Sequence, residues 1–240
     1  MLISEVTNEQ MREYQPNFES RTEDRHGYQF GISGYEQDFP DQPATRVSWC
    51  ETQAFCAWLS RLIGETIQLP TEGEWEQAAR AGSDTPFWWG NADADFSRYA
   101  NLGDAMLAYF SGNPYVQSYQ KAWYQNPDNR YDNWIPQESR VNDAGFVTVP
   151  VMRYASNPWG LYDMHGNVRE WTRSRYLDYP YVEDAARNSV ETDATELRVT
   201  RGGSWRERPK FCTASHRLAY PTWQRIYNVG FRVMMEQGTR

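Results

Sequence analysis

The chain is 240 residues long with a net charge of −8, long enough for one large domain or two small ones. That acidic balance leaves no basic face for a phosphate backbone, which argues against nucleic-acid and anionic-membrane partners and leaves cation sites open. No stretch approaches the ~18 apolar residues of a membrane-spanning helix, and the start, Met1-Leu-Ile-Ser-Glu-Val, lacks the basic and long apolar parts of a signal peptide.

Three helix starts are written in side-chain chemistry. Thr7-x-x-Gln10, Ser48-x-x-Glu51 and Thr71-x-x-Glu74 each form the pattern of a capping box, in which two side chains reciprocally satisfy backbone donors. They predict helices near 8–14, 49–62 and 72–81. Pro16 closes the first, and Gly64 and Gly82 stop the others. In the second, Ala54, Phe55, Trp58, Leu59 and Leu62 make a one-sided stripe for packing. Beyond residue 82 helical periodicity fades, and Pro86–Gly90 and Val147–Val151 read as short strands among Gly-, Pro- and Asn-rich loops. The segment 103–142 gathers aromatic residues among turn formers, too long for an idle loop, and reads as a functional insertion or an interface. No repeat or linker divides the chain, so 1–240 reads as a single domain.

The aromatic complement, 11 Trp, 16 Tyr and 10 Phe, suits a core built from loops, because indole and phenol groups can bond stray backbone carbonyls. Only three cysteines occur, Cys50, Cys56 and Cys212, so disulfides do not frame this fold.

Certain segments recur in a telling order: Glu5-Val-Thr-Asn-Glu-Gln10, Val47-Ser-Trp49, Leu69-Pro-Thr-Glu-Gly-Glu-Trp75, Trp89-Gly90, Tyr99-Ala-Asn101, Pro150-Val151, Gly160-Leu-Tyr-Asp-Met-His-Gly-Asn-Val-Arg-Glu-Trp171, Arg201-Gly-Gly-Ser-Trp205 and Val229-Gly-Phe-Arg232. This ordered set resembles the formylglycine-generating enzyme family, also called the sulfatase-modifying factor domain. The resemblance implies an α+β, irregular fold related to C-type lectins, with little regular secondary structure, short mixed sheets and two or three helices. Only four residues precede the Glu5 segment, where the family has further strand formers. Either the fold is trimmed at that edge, or another chain or a second copy completes it.

In that family two cysteines, three and eight residues after the serine of the Arg-Gly-Gly-Ser segment, hold copper and oxidise a substrate thiol. Counted from Ser204, those positions hold Glu207 and Cys212. A carboxylate beside one thiolate cannot reproduce a soft two-sulfur site, so copper is disfavoured, and Glu207 is expected to take a hard cation or face solvent between Arg206 and Arg208. It also keeps the Cys212 thiol protonated. The family pairs the counterpart of Cys56 with a cysteine after Gly-Phe-Arg. Here Val233 stands there, which leaves Cys56 a buried free thiol.

The resemblance also implies Ca²⁺, held in a first set by the side chains of Asp163 and Glu170 with the carbonyls of Gly166 and Val168. A second set comprises Asn101, Leu102, Asp143 and Phe146, with Asp143 one residue from the expected spacing. Hard oxygen ligands suit that ion, and calcium sites lean towards an extracytoplasmic setting. The alternative is that these carboxylates cap turns. His26, His165 and His216 do not stand at metal spacing, which disfavours the three-histidine iron site of the related sulfoxide synthases. The region from Ser204 to Gly230, with Trp205, Arg206, Arg208, His216, Tyr220, Trp223 and Tyr227, corresponds to the family's peptide groove and to the variable ligand face of lectin-like relatives. The reading that follows is a domain that binds a ligand, peptide or partner protein through 204–228 without copper–cysteine oxidation. The alternative is an oxygen-dependent oxidase acting on a sulfatase-type cysteine, or another oxidative tailoring reaction on the same fold.

Overall fold

The computed structural model describes residues 1–20, 36–105, 138, 140–181, 187–190, 193 and 195–236. Among them, the three capping boxes start three helices: α1 (Asn8–Tyr14), α2 (Trp49–Ile63) and α3 (Glu72–Arg80). Each box closes as its sequence predicts; in α3, Glu74 N–H donates to Thr71 Oγ1 at 3.2 Å while Thr71 N–H donates back to Glu74 Oε2 at 2.7 Å. Gly64 ends α2 in the left-handed conformation, but α3 ends one residue before Gly82, with Ala81 itself at φ 45°. The inward face of α2 consists of Trp49, Thr52, Phe55 and Cys56, flanked by Trp58 and Leu59, whereas Ala54 and Leu62 of the expected stripe are exposed.

The strands are short: β1 (Ile67–Gln68), β2 (Arg169–Arg175), β3 (Leu197–Arg201), β4 (Leu218–Pro221), β5 (Val229–Phe231) and β6 (Met234–Met235). They form a β1–β6 pair and a mixed sheet in the order β4-β3-β2-β5, where β5 lies parallel to β2 and the other pairs are antiparallel. Neither expected strand in the middle of the chain forms. Phe87 and Gly90 instead close a tight turn with reciprocal backbone bonds of 3.0 and 3.1 Å. Residues 147–151 are β-prone in composition, yet their amides go elsewhere: Val149 N–H to Asn167 Oδ1 at 3.0 Å and Val151 N–H to Asp41 O at 2.9 Å.

The main core joins α1, α2 and the sheet through Phe55, Trp49, Trp171 and Phe231. The indoles serve loop carbonyls as the composition implies: Trp49 donates to Thr172 O and Trp171 to Val47 O, both at 2.9 Å. The N-terminal segment runs beside β5, with Val6 N–H donating to Phe231 O at 2.9 Å and Leu2 N–H to Val233 O at 2.8 Å. Residues 2–6 thus run along β5, an edge of the mixed sheet. Most of the aromatic-rich 103–142 segment lies outside the described residues. Its two ends meet, as Ala105 N–H bonds Val141 O at 3.0 Å and Glu138 N–H bonds Gly103 O at 2.6 Å.

Candidate functional site

The site is a turn laid across the end of a strand. β2 begins at Arg169, opposite Val229 of β5, and the 204–207 turn follows β3 and binds back to the approach to β2 through Trp205 N–H to Asn167 O at 3.0 Å. Gly203 sits at φ 73°, and a Cβ there would collide with Cys212, so the turn can pack on this cysteine only with glycine at that position. The ends of the 103–142 segment arrive beside the same turn, because Gly103 N–H donates to Glu207 O at 2.9 Å.

Glu207 departs from expectation. Its carboxylate neither faces solvent nor stands between its sequence neighbours, but is drawn inward onto Arg169, whose Nε donates to Oε1 at 3.1 Å. Ser204 Oγ–H donates to the other oxygen, and Asn228 Nδ2 reaches Oε1 at 3.4 Å and Ser204 Oγ at 2.9 Å. The physical reason is burial. The Arg169 side chain is fully enclosed at 0% exposure, and an enclosed guanidinium requires a counter-charge, which among the described residues Glu207 supplies. Cys212 is equally enclosed, its thiol pointing to the carbonyls of Glu207 and Arg208 at 3.7 and 3.6 Å. Burial raises this thiol far above its ordinary range, and the Glu207 charge raises it further.

The remaining face residues divide. Trp205 is fully buried and packs edge-on to Tyr227 at 6.1 Å, so it supports the turn rather than presenting a binding platform. Arg206 bonds the Tyr227 hydroxyl, and both are half-buried. Tyr220, on β4, covers Trp171 edge-on at 6.1 Å, and Trp223 is 63% exposed. His216, packed edge-on to Phe211, is lowered to about 4, first by burial and then by the Arg169 charge. Arg208 is half-buried.

His165 lies beneath the face rather than on it. Its Nδ1 donates to Cys212 O at 2.7 Å, and burial lowers it to about 4, so it is a neutral imidazole packed against Phe87 and Trp89. Of the other two histidines of the disfavoured iron site, His26 lies outside the described residues.

The two cation sets differ in fit. In the first, the Arg232 fork takes both oxygens of Glu170 at 2.6 Å, and Trp75 Nε1 shares one of them at 2.6 Å. Asp163 accepts from Met152 N–H at 2.7 Å and is raised to about 6, first by burial. Nearby Glu5 is raised too, by burial and by Asp163. A cation there would share Glu170 with a guanidinium that already neutralises it. In the second set the buried Asn101 Oδ1 has no hydrogen-bond partner. A Cβ built on Gly145 would stand 2.7 Å from that oxygen and 2.9 Å from Asp143 Oδ1, so both oxygens converge on one point. Asp143 is lifted to about 7 by burial and by the neighbouring Asp104, a repulsion that a cation would relieve. Gly166, between the sets, packs against the Asn101 carbonyl and the Leu102 side chain, and Phe146 and Val168 are buried. The second set fits a hard cation; the first is largely satisfied from within. Among the described residues no cluster of three or more His, Cys, Asp or Glu could hold a metal by side chains alone.

Two members of the site escape sequence reading, Arg169 and Asn228. A signal for the first exists: it is a charged residue inside Val168-Arg-Glu-Trp171, a segment buried throughout. Asn228 carries no comparable signal, since a polar residue just before a short strand is ordinary.

Comparison with known proteins agrees with this architecture. The family described as Sulfatase-modifying factor enzyme 1-like domain matches residues 1–237. The formylglycine-generating enzyme of Thermomonospora curvata is 27% identical over 73% of this chain and 48% of its own length. The bovine protein named inactive C-alpha-formylglycine-generating enzyme 2 is 28% identical over 68% of this chain and 38% of its own. The chain therefore spans half or less of these relatives, and overall identity does not separate the one named inactive from the other. Among solved structures, PvdO from Pseudomonas aeruginosa superposes with a TM-score of 0.66 at 26% identity, covering 98% of this chain and 78% of that one.

Proposed function

The chain belongs to the sulfatase-modifying factor family, and on that premise we propose that it keeps the family's scaffold without copper–thiol oxidation and uses the 204–228 face to bind a ligand, peptide or partner chain. One observation carries this reading. Where the family's second sulfur would stand, Glu207 is committed to Arg169 and Ser204, and the remaining Cys212 thiol is enclosed among carbonyl oxygens. A soft copper(I) ion needs two thiolates in line, and a protonated, enclosed thiol beside a carboxylate supplies neither. Copper(I) titration followed by oxygen uptake with a peptide bearing a Cys-x-Pro-x-Arg motif tests it. We expect no stoichiometric copper and no aldehyde; tight copper with aldehyde formation would restore the oxidase.

We also propose Ca²⁺ at the second set, held by Asn101, Leu102, Asp143 and Phe146. The unpartnered Asn101 oxygen and the Asp143–Asp104 repulsion support it. The ion would neutralise these buried carboxylates and pin the loop beside the 204–207 turn. Because an ion bound only by the folded chain adds stability by mass action, the melting temperature should fall on chelation and recover with added calcium. A midpoint indifferent to chelator and calcium would remove this site.

A further inference from the structure

The charge of the 204–228 face opposes that of the whole molecule. It carries Arg206, Arg208, Lys210, Arg217 and Arg225 against one acid, Glu207, in a chain of net charge −8. Glu72 and Glu51, from α3 and α2, engage Arg217 and Arg225 at the margins. The centre is different: there the carboxylate of Glu207 is taken by Arg169, while Arg206 bonds the Tyr227 hydroxyl.

Arg169 is also incompletely satisfied. Its Nε bonds Glu207 and its Nη2 makes a long 3.4 Å contact to Phe211 O, while its Nη1, buried with the rest of the side chain, makes no hydrogen bond. A buried charged donor left without a hydrogen bond is costly, and a ligand oxygen that completed it would offset that cost. His216 adds a second buried nitrogen without a partner, Nδ1, within the field of Arg169. The surroundings are already fitted to a carboxylate, for Ser204, Asn228 and Arg169 hold one in place, that of Glu207, itself 16% exposed.

From this geometry we propose that the 204–228 face receives a carboxylate-bearing ligand, whose oxygen is taken by Arg169 Nη1 beside Glu207 while Arg206 closes on it from the rim. Glu207 stays in place and limits affinity by like-charge repulsion, which makes the seat reversible. The inference rests on the reading of 204–228 as the ligand face and specifies the chemical class that face selects. A small dicarboxylic acid and an acidic peptide side chain offer the same group, and separate titrations distinguish them.

The test is calorimetric titration of the full chain at low ionic strength with glutarate, a capped tri-glutamate peptide and a capped tri-arginine peptide, with amide hydrogen exchange locating each. We expect one or both acids to bind and to protect residues within 204–228. Glu207→Gln, which keeps the shape and the Ser204 and Asn228 contacts, should tighten acid binding about tenfold by removing the repulsion. Arg206→Gln should weaken it about tenfold by removing a charge-assisted bond. Arg169→Lys should abolish it, and because Arg169 and Glu207 form a buried pair, the rim variant Arg206→Gln decides the matter if either of those proteins does not fold. Acid binding that Glu207→Gln leaves unchanged or weakens overturns the proposal, as does protection confined to other residues. If tri-arginine alone protects 204–228, the ligand face stands and the carboxylate assignment falls. If no probe protects it, both fall.

Discussion

Each cysteine has a different environment, and reactivity follows from it. Cys50 is exposed at the start of α2; Cys56, on the buried face of the same helix, is pushed up to about 12 by burial. Cys212 is raised further, because burial and the Glu207 charge act together. Since the thiolate is the nucleophile, iodoacetamide should label Cys50 alone in the native protein and all three residues after denaturation, read by peptide mass spectrometry. Native labelling of Cys212 at the rate of Cys50 would contradict the enclosed thiol. The sequence count from Ser204 to Glu207 and Cys212 revealed the missing sulfur, but gave no indication that Glu207 turns inward, because its partner lies 38 residues earlier.

At the scale of elements, the helices rest on their caps and the strands on pairing. α3 is the informative case: the Thr71 cap sets a helix whose Trp75 donates to Glu170 and whose Glu76 holds Arg201. Thr71→Ala should cost about 1 kcal/mol through loss of the cap, measured by urea unfolding with an unchanged slope. A cost near zero would mean that tertiary contacts alone position α3. Caps are legible because donor and acceptor lie three residues apart. The same locality explains why Val147–Val151 misled: strand propensity is local, but a strand exists only if a neighbour accepts its amides, and here Asn167 and Asp41 intercept them.

For the whole molecule, the joint between the sheet and the N-terminal segment is the Glu170–Arg232 pair, both side chains at 0% exposure. Arg232 also bonds Tyr162 O at 2.9 Å, so it joins β2, the chain after β5 and the loop before β2. Truncating one partner strands the other charge, and Arg232→Met should cost about 3–5 kcal/mol in urea unfolding. Adding Glu170→Gln should restore part of that, since the stranded carboxylate is gone. Equal or additive losses in the double variant would show that packing, not charge, holds the joint.

By itself, the sequence determined the three capped helices, the family through the order of its segments and the absence of a second sulfur. All of these are encoded at short spacing or in linear order. Only the tertiary structure decided that Arg169 claims Glu207, that Trp205 is buried and that Asn101 and Asp143 converge. Those outcomes depend on the parallel register of β2 with β5 and on which loops burial forces together, and no pattern of neighbouring residues specifies a counter-charge across that distance.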